Sequence, residues 1–186
     1  MHQTHGFHTV RDSGDADWIE ANAPFQCTHR HAWLSAGYYF WEKDEERAHQ
    51  WGQFAYIKQG KDYVILRAKL ALSNMLDLVG DPDHMRQMRD FMRMMRQENP
   101  AWRKLTRDPP LGEVIELLRR YHQKGHPGIF PYTAVRAQDT PKPYNAIFVA
   151  GRRETTDLNP RIQICVFRKS DATLHPLRII FPEHYV

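Results

Sequence analysis

Four groups of side chains in this sequence have the types and spacing to do chemistry. Histidine is the first: 11 occur in 186 residues, with His2, His5 and His8 in one cluster and His29 and His31 just beyond Cys27. An imidazole can move a proton, bond a ribose hydroxyl or ligate a metal. A structural zinc site needs four ligands in two separated blocks, and Cys27-x-His29-x-His31 has no clear partner block, so no metal is expected. The second group is Tyr38 and Tyr39, in the run AGYYFWE, since a tyrosine ring can stack on a cationic heterocycle. The third is Arg161 and Gln163, two apart in RIQICVF and therefore on one face of a strand. The fourth is a stripe of Arg86, Arg89, Arg93 and Arg96 beside Met85, Met88, Met92 and Met95. At helical spacing this reads either as a core-facing methionine row with solvated arginines or as a face that tracks phosphates.

Other chemistry is set aside by absence. The chain has no G-x-S-x-G, H-E-x-x-H, Walker or G-x-G-x-x-G pattern. Ser13, Ser35, Ser73 and Ser170 are scattered, and Cys165 sits mid-strand among apolar residues, where a thiol is expected to be buried and inert. Two cysteines make no disulfide framework.

The elements that position these groups follow from periodicity and punctuation. GFHTV, residues 6–10, reads as a strand, and Ser13 or Asp15 caps a short helix that ends by Pro24. The aromatic run AGYYFWE after Ser35 reads as a strand leading into the acidic helix start Glu42, Asp44, Glu45 and Glu46, ending near Gly52. YVILRAKLAL from Tyr63 is a third strand. Asp81-Pro82 caps and opens a helix to about Gln97, and a second spans about Leu111 to Tyr121 with Val114, Ile115, Leu117 and Leu118 on one side. YNAIFVA, RIQICVF and LRIIF return to strand. The sum is α+β, one domain over residues 1–186, with strands at both ends and a helical basic insertion at about 81–122.

Composition agrees with an ordinary globule: 22.0 kDa, 41% hydrophobic and 26% charged residues exclude a disordered or multidomain chain. No run approaches the ~18 apolar residues a membrane span needs, and the N-terminus does not read as a secretion signal, so a cytoplasmic protein is expected. Net charge is +4, and residues 84–122 alone carry nine basic against five acidic groups, which gives the middle segment the whole excess. Acidic partners are favoured.

Three strands with a polar group at a defined place, FHTV, AGYYFWE and RIQICVF, resemble the ADP-ribosyltransferase superfamily in the branch of diphtheria toxin and the poly(ADP-ribose) polymerases. Phe7-His8-Thr9, the helix-forming WIEANAPF, the block Leu34 to Glu42 with the following helix through Ala48 to Trp51, and the strand at Gln163 carry the likeness. They cover about a third of the chain, chiefly its first 52 residues, and leave the middle unmatched. The family's His-Tyr-Glu triad becomes His8, Tyr39 and Gln163. Thr9 stands for the usual Gly, and Ser35-Ala36 for a Gly-containing turn.

The resemblance implies a fold of split antiparallel sheets, NAD as the substrate and catalysis by His8, Tyr39 and Gln163. It further implies that His8, Thr9, Tyr39, Ala48 and Trp51 line the NAD site, with Arg161 addressing the acceptor. The spacing assigns Tyr39 to the ligand and Tyr38 to the core. Glutamine bonds a 2′-hydroxyl but cannot ionise, so single transfer is expected rather than chain elongation. The expected activity is mono-ADP-ribosylation of toxin or defence type. The acceptor would be RNA, DNA or protein, with nucleic acid slightly favoured through Arg86, Arg89 and Arg93. The resemblance also implies an inhibitory antitoxin partner. The loop Gly151 to Pro160 is the expected acceptor-reading loop. The alternative is a catalytically inactive member of this fold acting as a nucleic-acid-binding module, and a third reading is metal binding through the histidine clusters.

Overall fold

The computed structural model describes residues 1–29, 32–98, 100–104, 109–126, 128–139, 145–147, 155–174 and 176–186. Its framework is a ten-residue antiparallel ladder between β1 (His2–Arg11) and β3 (Tyr63–Leu72), running from His2 opposite Leu72 to Arg11 opposite Tyr63. Residues 63–66 of β3 are apolar and buried on both faces, which explains the run of branched residues there, whereas Arg67 and Lys69 farther along are exposed on one face. Around this pair lie β2 (Tyr38–Glu42), β4 (Met75–Asp77), β5 (Ala134–Gln138), β8 (Ile162–Val166), β9 (Ala172–Leu174) and β10 (Arg178–Phe181). The order is β10-β3-β1-β2-β8-β5-β4, with β9 also paired to β3, and only β4 and β5 run parallel. A separate hairpin joins β6 (Asn145–Ile147) to β7 (Thr155–Asp157). The architecture is α+β, built on one mixed eight-stranded sheet.

Five α-helices are described. α1 (Ala16–Asn22) is capped by Asp15, whose side chain accepts from the Trp18 N–H, and α2 (Glu45–Ala55) by Asp44 accepting from Arg47. α3 (Pro82–Glu98) begins at proline after Asp81, whose carboxylate takes the Asp83 and His84 amides. α4 (Pro100–Arg103) is one turn, and α5 (Leu111–Gln123) follows. None is long and apolar enough to cross a membrane among the described residues.

Strand alternation sends side chains to two cores. One face carries Val10, Phe40, Val64, Leu66, Leu70, Ile164 and Val166, covered partly by Ile19 of α1. The opposite face packs Phe7, Trp41, Tyr63 and Ile65 against Ala48 of α2, and Val135, Ala137 and Cys165 against Met88 of α3 and Val114, Ile115 and Leu118 of α5. Strands β2 and β8 approach so closely at Gly37 that a Cβ there would lie 2.5 Å from the Cys165 Sγ and 2.6 Å from the Val166 carbonyl oxygen.

Several expectations change. Glu42 does not start a helix: it is the last residue of β2 and is buried, and Asp44 supplies the cap instead. β4, β5, β7 and β9 were not anticipated, since three are only three residues long and β5 (AVRAQ) lacks the aromatic and β-branched density that marks the others. Of the expected strand YNAIFVA only Asn145–Ile147 is described, and residues 151–154 of the expected acceptor-reading loop lie outside the described residues.

Candidate functional site

His8, Tyr39 and Gln163 stand on three consecutive strands, β1, β2 and β8. Neighbouring strands lie ~4.8 Å apart, so the three backbones fall within about 10 Å. Register then separates their side chains. Phe7 pairs with Trp41, which pairs with Gln163, and Tyr39 pairs with Cys165. Tyr39, Trp41, Gln163 and Thr9 therefore share the face covered by α2, α3 and α5, whereas His8 lies on the other with Phe40, their rings 5.4 Å apart. The structure brings Tyr39 and Gln163 onto one face and places His8 on the opposite one.

His8 is 5% exposed, and both ring nitrogens are used. The paired register of β1 and β2 stops at Phe7 and Trp41, and just beyond it the His8 Nδ1–H donates to the Tyr39 carbonyl at 2.8 Å. Nε2 accepts the Phe25 N–H at 3.0 Å. These partners allow only the neutral Nδ1–H tautomer, because protonation would place a donor against a donor. Burial lowers the His8 pKa to about 4, opposed by the bond to the Tyr39 carbonyl and reinforced by the Lys169 charge.

The Tyr39 hydroxyl donates to the Ser35 carbonyl at 2.7 Å and accepts the Leu34 N–H at 3.0 Å. Burial pushes its pKa well above the ordinary phenol value. The Gln163 Oε1 accepts the Trp33 indole N–H at 2.6 Å, and Gln163 is 8% exposed. Each of the three side chains thus holds a different point of the connection between α1 and β2: Phe25, Trp33, and Leu34 with Ser35.

That connection is also fixed from its outer side. Ser35 adopts φ 75, uncommon for a residue with a Cβ, and its hydroxyl donates to Glu116 at 2.5 Å and accepts from Arg119 at 2.7 Å. Arg119 also bonds the Ala36 carbonyl at 3.0 Å and lies 4.1 Å above the Phe167 ring. Gly112 of α5 lets the chain pass: a Cβ there would sit 2.4 Å from the Ala32 oxygen.

The remaining expected residues are distributed as follows. The Thr9 hydroxyl donates to the Ala48 carbonyl at 2.9 Å, tying β1 to α2, and Ala48 is buried. Trp51 is 43% exposed on the outer side of α2 against Phe54, so it lines none of the strand residues above. Arg161 shares the face of Gln163, pairs with Asp139 at 3.1 Å and reaches over the Trp41 ring at 5.7 Å. Its Nε is buried without a hydrogen-bond partner. Arg86, Arg89 and Arg93 are exposed on α3, beside edge strand β4 and away from β2. The Cys165 thiol is buried, which pushes its pKa up to about 12, and it is no nucleophile. His2 bonds the Glu42 carboxylate at 2.8 Å, and no group of three or more His, Cys, Asp or Glu is disposed to hold a metal ion among the described residues. His31 is outside them.

Two features escaped sequence reasoning. One is the Trp33 indole, within a segment with no periodic signal. The other is a buried ionic chain across the sheet: the Arg136 Nε donates to Glu42 at 2.6 Å and its Nη1 to Asp77 at 3.0 Å. Burial works to raise the pKa of both carboxyls, yet the bonds they accept, from Arg136 and His2 at Glu42 and from the Gly80 and Val79 amides and Arg136 at Asp77, hold both below the ordinary range. The single arginine in the otherwise uncharged run AVRAQ was its only trace. Comparison with family models, with curated proteins and with solved structures returns no match.

Proposed function

We propose that the protein is an NAD-dependent mono-ADP-ribosyltransferase of toxin or defence type that modifies a macromolecular acceptor. The observation that carries this reading is the pairing of β2 with β8, which puts the tyrosine and glutamine of the motif on one face of the sheet from segments 124 positions apart, with His8 on the neighbouring strand β1 but on the opposite face. The orphaned Arg161 Nε beside Gln163 adds a donor suited to an anionic oxygen of an acceptor carrying phosphates. In the reaction the bond from ribose C1′ to nicotinamide breaks, nicotinamide leaves with the bonding pair, and the acceptor nucleophile attacks C1′ and loses its proton to solvent. Gln163 would orient the ribose through its 2′-hydroxyl, and the Tyr39 ring would pack on the nicotinamide once Trp33 has moved off Gln163. The split-sheet fold of the family belongs to this proposal too.

A second reading has its own observation. The His8 nitrogens, the Tyr39 hydroxyl and the Gln163 carbonyl oxygen are all already bonded to the chain itself. Anchors of this kind suit a catalytically inactive fold that binds nucleic acid. Incubation with adenine-labelled NAD and a cell extract separates the two: label fixed in protein or nucleic acid supports the transferase and gives its acceptor class. NAD recovered uncut from every fraction favours the binding module. Gln163→Glu keeps an acceptor for the Trp33 N–H and adds a charge facing an oxocarbenium ion, so NAD cleavage should rise at least tenfold.

A further inference from the structure

The strongest unassigned surface is on α3. Met88 and Met95 are buried, Met88 among the core beneath the helix, but Met85 is 39% exposed and Met92 is half-buried. With Leu78 they floor a groove of about 570 Å³ whose wall is Arg89, Arg93 and Arg96. Arginines at i, i+4 and i+7 form one stripe, and the eleven steps from Met85 to Arg96 extend over about 16 Å, roughly three helical turns.

We propose that this groove docks an acidic amphipathic helix of a protein partner. The floor supplies what an apolar helix face needs: unbranched, polarisable thioethers that repack around incoming side chains. The wall supplies the charge. Among the described residues no carboxylate lines the groove, and Asp90 lies 3.5 Å from Arg89 and 3.7 Å from Arg93, one counter-charge between two guanidinium groups. Glutamates flanking a leucine stripe would meet this wall while the leucines cover the methionines. Nucleic acid fits less well, because the lining holds no aromatic ring on which a base could stack, and a sugar–phosphate chain would lie over a thioether floor it cannot solvate. The assignment of these arginines therefore moves from phosphate contacts to a protein partner, independently of NAD chemistry.

The test uses the full chain and a fluorescein-labelled helical peptide of about 14 residues, with leucines at i, i+3, i+4 and i+7 and glutamates on both flanks. A scrambled peptide of equal charge and an oligothymidylate of similar length are the competitors. Saturable anisotropy with the amphipathic peptide is expected, weakened roughly tenfold or more by scrambling. The charge reversals Arg89→Glu with Arg93→Glu, and separately Met85→Asp with Met92→Asp, should each weaken binding by a similar factor while the far-ultraviolet circular dichroism is unchanged. Arg89 and Arg93 are exposed, so the first pair keeps the test valid if the methionine variant misfolds. Absence of peptide binding, equal binding of the scrambled peptide, or displacement of the peptide by oligothymidylate at equal concentration overturns the proposal.

Discussion

His8 offers a direct measure of how the α1–β2 connection is held. Its folded pKa is about 4 against an ordinary 6.5, with burial the main cause. The unfolded chain therefore takes the proton first on acidification. The stability that the neutral imidazole contributes is fully present above pH 6.5 and drains away as pH falls from there towards 4. Between pH 7.5 and 4.5 that loss integrates to about 2–3 kcal/mol. Carboxylates titrate in the lower part of this window as well, so the comparison is with His8→Asn, whose amide can donate to the Tyr39 carbonyl in place of Nδ1–H but cannot reach the Phe25 amide. At pH 7.5 the variant should be less stable by about 1–3 kcal/mol, the cost of leaving that buried N–H unpaired. Urea unfolding followed by tryptophan fluorescence at half-unit pH steps gives both curves. The gap should shrink steadily from pH 6.5 downwards, by about 2–3 kcal/mol by pH 4.5, so that the two curves meet or cross within the window. Parallel curves over the window would refute a histidine held neutral between two backbone partners.

Three further outcomes test neighbouring contacts. Trp33→Phe removes the indole donor and leaves the Gln163 oxygen unpaired, which should cost about 1–2 kcal/mol in chemical denaturation; a double-mutant cycle with Gln163→Leu should recover most of it. Gly112→Ala drives a Cβ to 2.4 Å from the Ala32 oxygen and 3.0 Å from Trp33 backbone atoms, so α5 and the connection must part, lowering Tm by an amount equivalent to about 1–3 kcal/mol. Glu42→Gln strips the half-buried Arg136 of one of its two carboxylates and should destabilise by about 1–3 kcal/mol at neutral pH. Because the Glu42 carboxyl is held below its ordinary range, that stabilisation is present above the usual carboxylate pKa and lost as pH falls through the folded value, so the variant and the parent should converge in acid.

What the sequence conveyed and what it did not divide along physical lines. Residues 6–10 of β1, strand β3, the Asp15 cap offered beside Ser13, and the proline start of α3 were readable because each is a local signal: alternation, a capping side chain, a missing N–H. That Arg161 and Gln163 share a face, and that Tyr38 and Tyr39 part to opposite cores, followed from alternation alone. The face of His8 was not readable, since it depends on the register between β1 and β2, a long-range quantity set by the Phe7–Trp41 pair and the close approach at Gly6. Glu42 misled for the same reason. Acidic residues ahead of a helix normally complement its dipole, and only the arrival of Arg136 from 94 positions away turns this one into a buried strand residue.

The connection from Phe25 to Ser35 joins these points into one argument. A segment between regular elements stays in place only if its backbone groups find partners, and here strand side chains meet three of them, Phe25 N–H by His8 and Leu34 N–H and Ser35 C=O by Tyr39, while Arg119 of α5 meets the Ala36 C=O just beyond. Each partner satisfies a backbone group that an apolar side chain would leave unpaired. Under the proposed transferase reading the Tyr39 hydroxyl and the Gln163 oxygen have a second use, because both would become available to a ribose when the connection shifts. The two roles diverge in one observable. If the side chains serve only the connection, Trp33→Ala will merely loosen it, and saturating NAD will leave its tryptophan fluorescence and its thermal unfolding unmoved. If they serve a ligand, the same variant will bind NAD at least tenfold more tightly than the parent chain, since the indole competing for Gln163 is gone.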